Sequence, residues 1–394
     1  MIFLDINTFF SPKAGGIRTY HQAKIDWFRK QSQHSYVLVF PGPASRVAES
    51  GPPVTLAEAY GPAVTQDPRG YRLLLDYFLV FRMLRRNRPR VLEAGDPWLT
   101  GLFCLLARKT GCYRGLLVSF YHADPVPTYL EPWAATGAGV FWKRLLVGLL
   151  ARIFYRLQSG YDLTVVSSRA MGDSLRSRGV AKVEHMPFGV PALFLEDLPV
   201  SRTPGARSGR PAPWGNPKAP EVRLLYAGRL DREKGVDLLL AILPRLLSRE
   251  DVHITVAGRG AWADRFAELR HPSFTYLGFL DGPAEMRRVY DGHHVLLAPG
   301  PYETFGLGVL EAMARGLVVV GPDKGGTGEL LREADSPFIF KAGDGEDFHR
   351  AVGAAIACDW GRESALSREL ALRYGSWDQA VGRMVDRYLS LAGG

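Results

Sequence analysis

At 394 residues, 46% of them hydrophobic and 23% charged, the chain has room for two or three domains of ~150 residues, each with its own core. No run of ~18 uncharged apolar residues occurs, which argues against a spanning helix, and three cysteines (Cys104, Cys112, Cys358) without metal spacing fit a reducing cytosol. The net charge of +9 asks for an anionic partner, a requirement that nucleotides, anionic lipid and nucleic acid all meet.

Met1–Asn7 reads as a short apolar strand; no basic region precedes it, so it is not read as a signal peptide. Ser11-Pro-Lys-Ala-Gly15-Gly16-Ile17 then leads into a helical pattern through Tyr20, Ala23, Ile25, Trp27 and Phe28. Strand, glycine loop and helix open a Rossmann-like unit. Taken alone, Gly15-Gly16 requires no more than a tight turn. The dinucleotide pattern Gly-x-Gly-x-x-Gly is absent, which counts against a nicotinamide enzyme. Ser35–Phe40 is a second strand and Pro41–Asp67 is irregular with short strands. Tyr71–Arg86 is a helix with Leu74, Leu75, Phe78, Leu79 and Phe81 as its apolar positions. Its basic end (Arg82, Arg85, Arg86, then Arg88 and Arg90) suits the helix dipole and reads by default as a solvated face. Arg90–Ala94 and Gly115–Phe120 are buried strands separated by a helix over Trp98–Lys109.

Tyr121-His122-Ala-Asp124 follows directly. Ligands of open parallel sheets bind beyond the strand C-termini, so His122 stands where chemistry would occur, although a lone histidine more often serves structure. Val140–Leu157 carries Lys143, Arg144, Arg152 and Arg156 and no acid. It is either an interfacial membrane helix or an ordinary helix with its Leu/Ile face on the sheet and its arginines outward. A strand over Asp162–Ser167, a helix over Ser168–Arg178 and a strand over Lys182–Pro187 follow. Ser201–Pro220, dense in Pro, Gly, Arg and Ser, reads as a linker or surface loop and puts a domain boundary within 190–220.

The alternation then restarts with a strand over Val222–Ala227, a turn over Gly228–Gly235 and a helix over Val236–Leu247. A cation at Lys234, beside a helix N-terminus, opposes the dipole and makes sense where a diphosphate neutralises it. Arg229 and Lys234 would together grip such a group and stabilise it as charge develops; alternatively Asp231 or Glu233 pairs with them. Val252–Ala257 with Gly258-Arg-Gly260 is the next strand and turn. Phe274–Gly278 leads to Phe279-Leu280-Asp281, whose apolar residues could equally be core. His294–Ala298 is a buried strand, Pro299–Phe305 a turn, and Gly306–Arg315 a helix. A helix N-terminus suits a phosphate, and Gly306 and Gly308 keep side chains clear of it. Glu303 precedes this helix and Glu311 lies inside it. Carboxylates accept well from sugar hydroxyls; the plainer alternative is an N-cap-like acid and a solvated helix residue. A strand over Leu317–Gly321, a helix opening at Gly325-Gly-Thr-Gly-Glu329, a helix over Asp344–Cys358 and a last helix from Trp377 to Leu391 close the chain.

Glu303-Thr-Phe305-Gly306-Leu307-Gly-Val-Leu-Glu311-Ala-Met-Ala resembles the Glu-x7-Glu signature of the retaining GT-B glycosyltransferases of family four. The resemblance runs from Gly15-Gly16 to Trp377 and is strongest between Arg229 and Glu311. It implies an α/β, GT-B fold of two Rossmann-like domains facing across a cleft. The implied parts are an N-terminal acceptor domain (1–190), a linker or loop (191–220), a C-terminal donor-binding domain (221–375) and a terminal helix (376–394) crossing back to the first domain. It implies that Gly15 and Gly16 lie over the donor phosphates and the acceptor, with His122 against the donor sugar at the reaction centre. Arg229 and Lys234 would hold the diphosphate, the backbone at Leu280 the nucleobase, Glu303 the sugar hydroxyls and Glu311 the ribose, with Phe305, Gly306 and Leu307 also at the donor.

The implied reaction moves a hexose of mannose or glucose type, with retention, from a UDP- or GDP-sugar to a hydroxyl of an acceptor sugar or lipid-linked sugar, as in envelope polysaccharide or glycolipid synthesis. No separate cofactor is expected, and with no Asp-x-Asp in the chain no metal is required. An anionic membrane surface is a further expected partner and nucleic acid is not. The expected location is cytoplasmic, peripheral on the cytoplasmic face of the membrane. A sugar-nucleotide epimerase or hydrolase on the same fold, and a non-catalytic membrane-associated nucleotide-sugar binding protein, are the alternatives.

Overall fold

A computed structural model describes the chain except residues 12–14, 32, 50, 65–69, 123–125, 127–129, 137–138, 199–221 and 394, and the side chain of residue 132. The linker read at 201–220 and the acid Asp124 thus fall outside the described residues. The chain divides into two units, Met1–Pro187 with Asp378–Gly394, and Phe188–Trp377.

The first unit begins β1 (Ile2–Ile6), α1 (Gly15–Lys30), β2 (Ser35–Gly42), β3 (Arg46–Glu49), β4 (Val54–Tyr60) and α2 (Tyr77–Asn87). It continues β5 (Val91–Ala94), α3 (Leu99–Lys109), β6 (Leu116–Tyr121), α4 (Glu131–Ala134) and α5 (Val140–Gln158), then β7 (Leu163–Val166), α6 (Arg169–Ser177) and β8 (Val183–His185). Its strands order as β3-β4-β2-β1-β5-β6-β7-β8. All neighbours are parallel except β3 and β4. The near-continuous apolar runs of β1, β2 and β6 are those of strands covered on both faces.

The chain steps one way along the sheet from β1 to β2 and the other way from β5 onward. Right-handed crossovers therefore set α1 on one face and α2, α3, α5 and α6 on the other. Phe28 of α1 accordingly packs on Phe3 and Tyr36, at ring distances of 5.2 and 5.0 Å. Met83 and Leu84 of α2 and Cys104 of α3 share a core instead with Leu4, Val37 and Leu92.

One helix starts later than the sequence predicts. The expected helix over Tyr71–Arg86 begins only at Tyr77, because the preceding residues are extended. Leu73 and Leu75 N–H donate to the Pro62 and Tyr60 carbonyls, both at 3.1 Å, and Asp76 caps the helix by accepting from Leu79 N–H at 2.9 Å. The apolar face shifts with the start: Leu75, Phe78 and Phe81 are exposed, while Val80, Met83 and Leu84 are buried.

The second unit holds α7 (Ala192–Leu195), β9 (Val222–Ala227), α8 (Val236–Leu247), β10 (Val252–Ala257), α9 (Ala263–Ala267), β11 (Phe274–Gly278) and α10 (Pro283–Asp291). Then come β12 (Val295–Leu297), α11 (Leu307–Ala314), β13 (Val318–Pro322), α12 (Gly325–Glu333), β14 (Ile339–Phe340), α13 (Gly345–Ile356) and α14 (Trp360–Tyr374). Its six parallel strands order as β11-β10-β9-β12-β13-β14, with the reversal between β9 and β12. The core gathers Leu224, Leu239, Ile254, Val295, Val320 and Phe348. The sequence reading includes neither β14, two residues long, nor the mostly polar α10 and α14.

The last helix, α15 (Trp377–Ala392), leaves the second unit at its first residue and completes the first. Val381, Met384, Val385 and Tyr388 are buried, and Lys30 pairs with Asp378 at 2.6 Å.

Candidate functional site

In an open parallel sheet the ligand crevice lies where the strand order reverses, beyond the strand C-termini. In the second unit three exit loops meet there. A Cβ on Gly235 would lie 2.6 Å from the Pro299 carbonyl carbon, and one on Gly300 would lie 2.9 Å from Lys234 Cα. Gly235 also has φ +70°, so the loops after β9 and β12 touch only because both positions lack a side chain. The start of α12 closes on the same place: Gly326 N–H donates to the Glu303 carbonyl at 2.6 Å.

The charged residues of these loops are paired with one another. Lys234 ends a short 3-10 turn (Arg232–Lys234) ahead of α8, and its ammonium donates to the Glu303 carboxylate. Their side chains are 23% and 32% exposed, so water and solutes reach the pair. Arg229 forks between Asp231, at 2.7 Å, and Glu233. The carboxylate pairing that the sequence left open thus occurs at Arg229, while Lys234 takes Glu303 instead. Two further contacts fix the turn, one of them from Tyr226, which sequence reasoning passed over. Tyr226 donates its hydroxyl to the Arg229 carbonyl at 2.7 Å, and Asp231 accepts from Ala261 N–H at 3.1 Å.

Gly306 opens α11 in the left-handed region (φ +91°), and among the described residues no side chain caps the helix. Its first amides and dipole are thus available to an anion. Glu311 sits one turn further in and is half-buried. Tyr290 donates to it at 3.5 Å, and burial pushes its carboxyl up to about 7. The solvated-helix alternative for Glu311 fails on that burial. Leu307 is half-buried, whereas Phe305 is core, between Phe188 and Tyr374 at 5.2 and 5.8 Å. Beyond β11, Leu280 is half-buried and Phe279 is 55% exposed under the Arg259 guanidinium, 4.2 Å from the ring centre. Phe279 is therefore not core.

The three remaining candidates belong to the first unit. Gly15 and Gly16 are exposed at the start of α1. His122 directly follows β6, stacked on Phe120 at 4.5 Å with Tyr20 edge-on at 5.4 Å. Among the described residues its Nε2 is enclosed without a hydrogen-bond partner. Burial lowers its pKa to about 4, with Glu93 opposing and Lys24 reinforcing, so the imidazole is neutral at pH 7.

Behind it lies a cluster that sequence reasoning also missed. Lys24 Nζ lies 2.5 Å from Asp5 and 3.1 Å from Glu93, all three at most 2% exposed. Tyr36 donates to Asp5 at 2.8 Å, while Tyr20 and Tyr388 donate to Glu93 at 2.7 and 2.8 Å. Burial, with Glu93 adding, pushes Asp5 up to about 7 against the pull of Lys24. The available signal was charge out of place: acids inside apolar strands and a lysine on the apolar face of α1.

Residues 221–357 match the family model described as glycosyl transferases group 1, and residues 15–189 match the glycosyl transferase 4-like domain. The chain belongs to the family-four glycosyltransferases. The first match contains Arg229, Lys234, Leu280, Glu303 and Glu311, and the second Gly15, Gly16 and His122. This glycosyltransferase is 28% identical over 338 residues to a GDP-mannose-dependent alpha-mannosyltransferase of Mycobacterium tuberculosis, covering 84% of this chain and 80% of that one. It is 29% identical over 178 residues to an uncharacterized glycosyltransferase of Methanocaldococcus jannaschii, a match spanning 43% of this chain and only 45% of the relative. Among solved structures it is similar to sucrose-phosphate synthase from Thermosynechococcus elongatus, with a TM-score of 0.72, 19% identity and 99% of each chain covered. It is also similar to Anabaena HepE in complex with UDP-glucose, with a TM-score of 0.68, 14% identity, and 99% and 100% covered. This glycosyltransferase thus has the GT-B fold, with two α/β units each built on a parallel-rich sheet.

Proposed function

We propose that this glycosyltransferase moves a hexose from a nucleoside-diphosphate sugar to an acceptor hydroxyl with retention, and that the second unit holds the donor. The observation that carries the reading is the Lys234–Glu303 pair at the strand-order reversal, beside the uncapped N-terminus of α11. The diphosphate draws Lys234 and Arg229 from their carboxylate partners and lies against the α11 amides. Freed of Lys234, Glu303 accepts from hexose hydroxyls, while Glu311 takes the ribose and the backbone at Leu280 meets the base. In the first unit, neutral His122 can take part in a hydrogen bond to a sugar without adding charge.

In the step itself, the bond from the anomeric carbon to the phosphate oxygen breaks while the acceptor oxygen bonds to that carbon on the same face. The acceptor proton passes to the departing phosphate oxygen. Lys234, Arg229 and the helix amides stabilise the charge left on the diphosphate. No metal takes part: EDTA leaves turnover unchanged, and loss on EDTA with recovery on magnesium or manganese would overturn that part. The relatives' names favour GDP-mannose or UDP-glucose as donor. The acceptor in this reading is a sugar or lipid-linked sugar at the cytoplasmic face.

The test is a thermal-shift panel of UDP-, GDP- and ADP-sugars, since a ligand selective for the folded state raises Tm. Turnover with the stabilising donor follows, with free sugar and glycoside separated by mass spectrometry and the product anomer read by NMR. The reading predicts one preferred base and a glycoside of unchanged anomeric configuration. Free sugar alone, or an inverted product, would sink it.

A further inference from the structure

Three crossover helices of the first unit, α2, α3 and α5, lie in a row on one face of its sheet. Tyr77 of α2 meets Phe103 of α3 at 5.3 Å, and Trp98 at the head of α3 meets Phe154 of α5 at 5.7 Å. Together the three helices hold nine Arg and Lys and not one Asp or Glu. The whole chain has 49 basic and 40 acidic residues. Without these nine it would be balanced at 40 of each, so an excess equal to the entire net charge of +9 sits on this one row. Among the described residues only Arg108 of the nine is in an ion pair, with Asp162.

The same helices turn apolar side chains to water. On α5, Phe141, Leu145, Leu149 and Ile153 recur every fourth residue and are 72%, 59%, 55% and 49% exposed. What that helix buries is Val147, Phe154, Tyr155 and Gln158. The sequence left open an ordinary helix with its Leu/Ile face on the sheet; the structure turns that face outward. Leu102 and Leu106 of α3 and Phe78 of α2 are exposed in the same way. An amphipathic helix of a freely soluble protein does the opposite.

We propose that this three-helix face lies on an anionic lipid bilayer, with its Arg and Lys at the headgroups and its Leu, Phe and Trp side chains in the acyl boundary. The pairing of unneutralised cations with an outward aliphatic row is what such an interface recognises. Long basic side chains reach up to the phosphates while their stems cover apolar surface. No helix among the described residues is long and apolar enough to cross a membrane, so the contact lies in the interfacial plane. A second copy of the chain is a poorer occupant, because two faces of like charge repel. Nucleic acid would satisfy the cations and leave the aliphatic row in water.

Co-sedimentation of the full chain with vesicles of phosphatidylcholine alone, or mixed with phosphatidylglycerol, tests this at low and high salt. Wild-type protein pellets with the mixed vesicles and stays in solution with the neutral ones, and salt weakens the binding by screening. The triple variants Leu145→Gln/Leu149→Gln/Ile153→Gln and Arg144→Glu/Arg152→Glu/Arg156→Glu each lower partitioning about tenfold or more. Because every one of these side chains is exposed, an unchanged Tm accompanies the loss. Wild-type protein that stays in solution with anionic vesicles at low salt overturns the proposal whatever the variants do. So does binding that the glutamine variant leaves intact and RNA competes away, which marks a general polyanion site. A concentration-dependent dimer abolished by the glutamine variant, with no vesicle binding, overturns it in favour of self-association.

Discussion

At the strand-order reversal of the first unit, Asp5 on β1 and Glu93 on β5 hold Lys24 at 0–2% exposure. At the reversal of the second unit, Lys234 and Glu303 pair with 23% and 32% of their side chains exposed. The two sheets thus carry a lysine–carboxylate contact at equivalent points, and burial separates their uses. The Lys24 cluster is closed: tyrosine hydroxyls from β2, α1 and α15 fill the remaining acceptor sites of the carboxylates. A charge removed there leaves others buried and uncompensated. The Lys234 pair is open, worth about 0–1 kcal/mol as exposed pairs go, so an incoming anion can replace Glu303 at little cost. A buried ion cluster specifies how elements meet, whereas a half-exposed one is poised to exchange partners.

The sharpest way to break this comparison is to remove each lysine in turn. Lys24→Met is expected to lower unfolding free energy in urea by about 3–5 kcal/mol, as loss of one member of a buried pair does. A change under about 1 kcal/mol would mean the cluster does not hold α1 to the sheet. Lys234→Ala is expected to shift stability by less than about 1 kcal/mol. Its kcat/KM should fall about 100-fold or more, the scale of one lost charge-stabilising donor. A fall below about threefold removes Lys234 from the proposed chemistry.

A subtler probe is pH. Glu311 has an ordinary value of 4.5 and is pushed up to about 7 by burial. Between those values the folded chain keeps a proton that the unfolded chain has lost. The contribution of Glu311 to stability therefore falls as pH rises from about 4.5 to about 7 and is level above that; Asp5 contributes in the same direction, and buried His122 in the opposite one. Glu311→Gln should flatten its share of the slope and leave the variant about 2 kcal/mol more stable than wild type at pH 8, read from urea melts at pH 5 and 8. Superimposable profiles for the two proteins would contradict the burial of that carboxyl. The smallest expected effect is Tyr290→Phe, which removes the long bonds to Glu311 and Gly308. It should cost about 0.5–1.5 kcal/mol in the same melts, and a larger loss would give the hydroxyl more weight than its 3.3–3.5 Å contacts suggest.

The β/α alternation was legible from local pattern alone, because apolar runs bounded by glycine turns report on their own neighbourhood: β11 and the helices after Gly235 and Gly306 stand within a residue or two of their expected bounds. The Glu303–Glu311 stretch was legible for the same reason, being a contiguous string whose family match needs no tertiary contact. Three things were decided only by tertiary structure. Asp76 and the carbonyls of Tyr60 and Pro62 set where α2 begins. The meeting of loops around Gly235 and Gly300 brings Lys234 to Glu303 across 69 positions. The packing of α5 by Val147 and Phe154 turns its Leu row outward. Periodicity shows that a helix has two faces, but which face is buried depends on what the sheet offers it, and that is a property of residues far away in the chain.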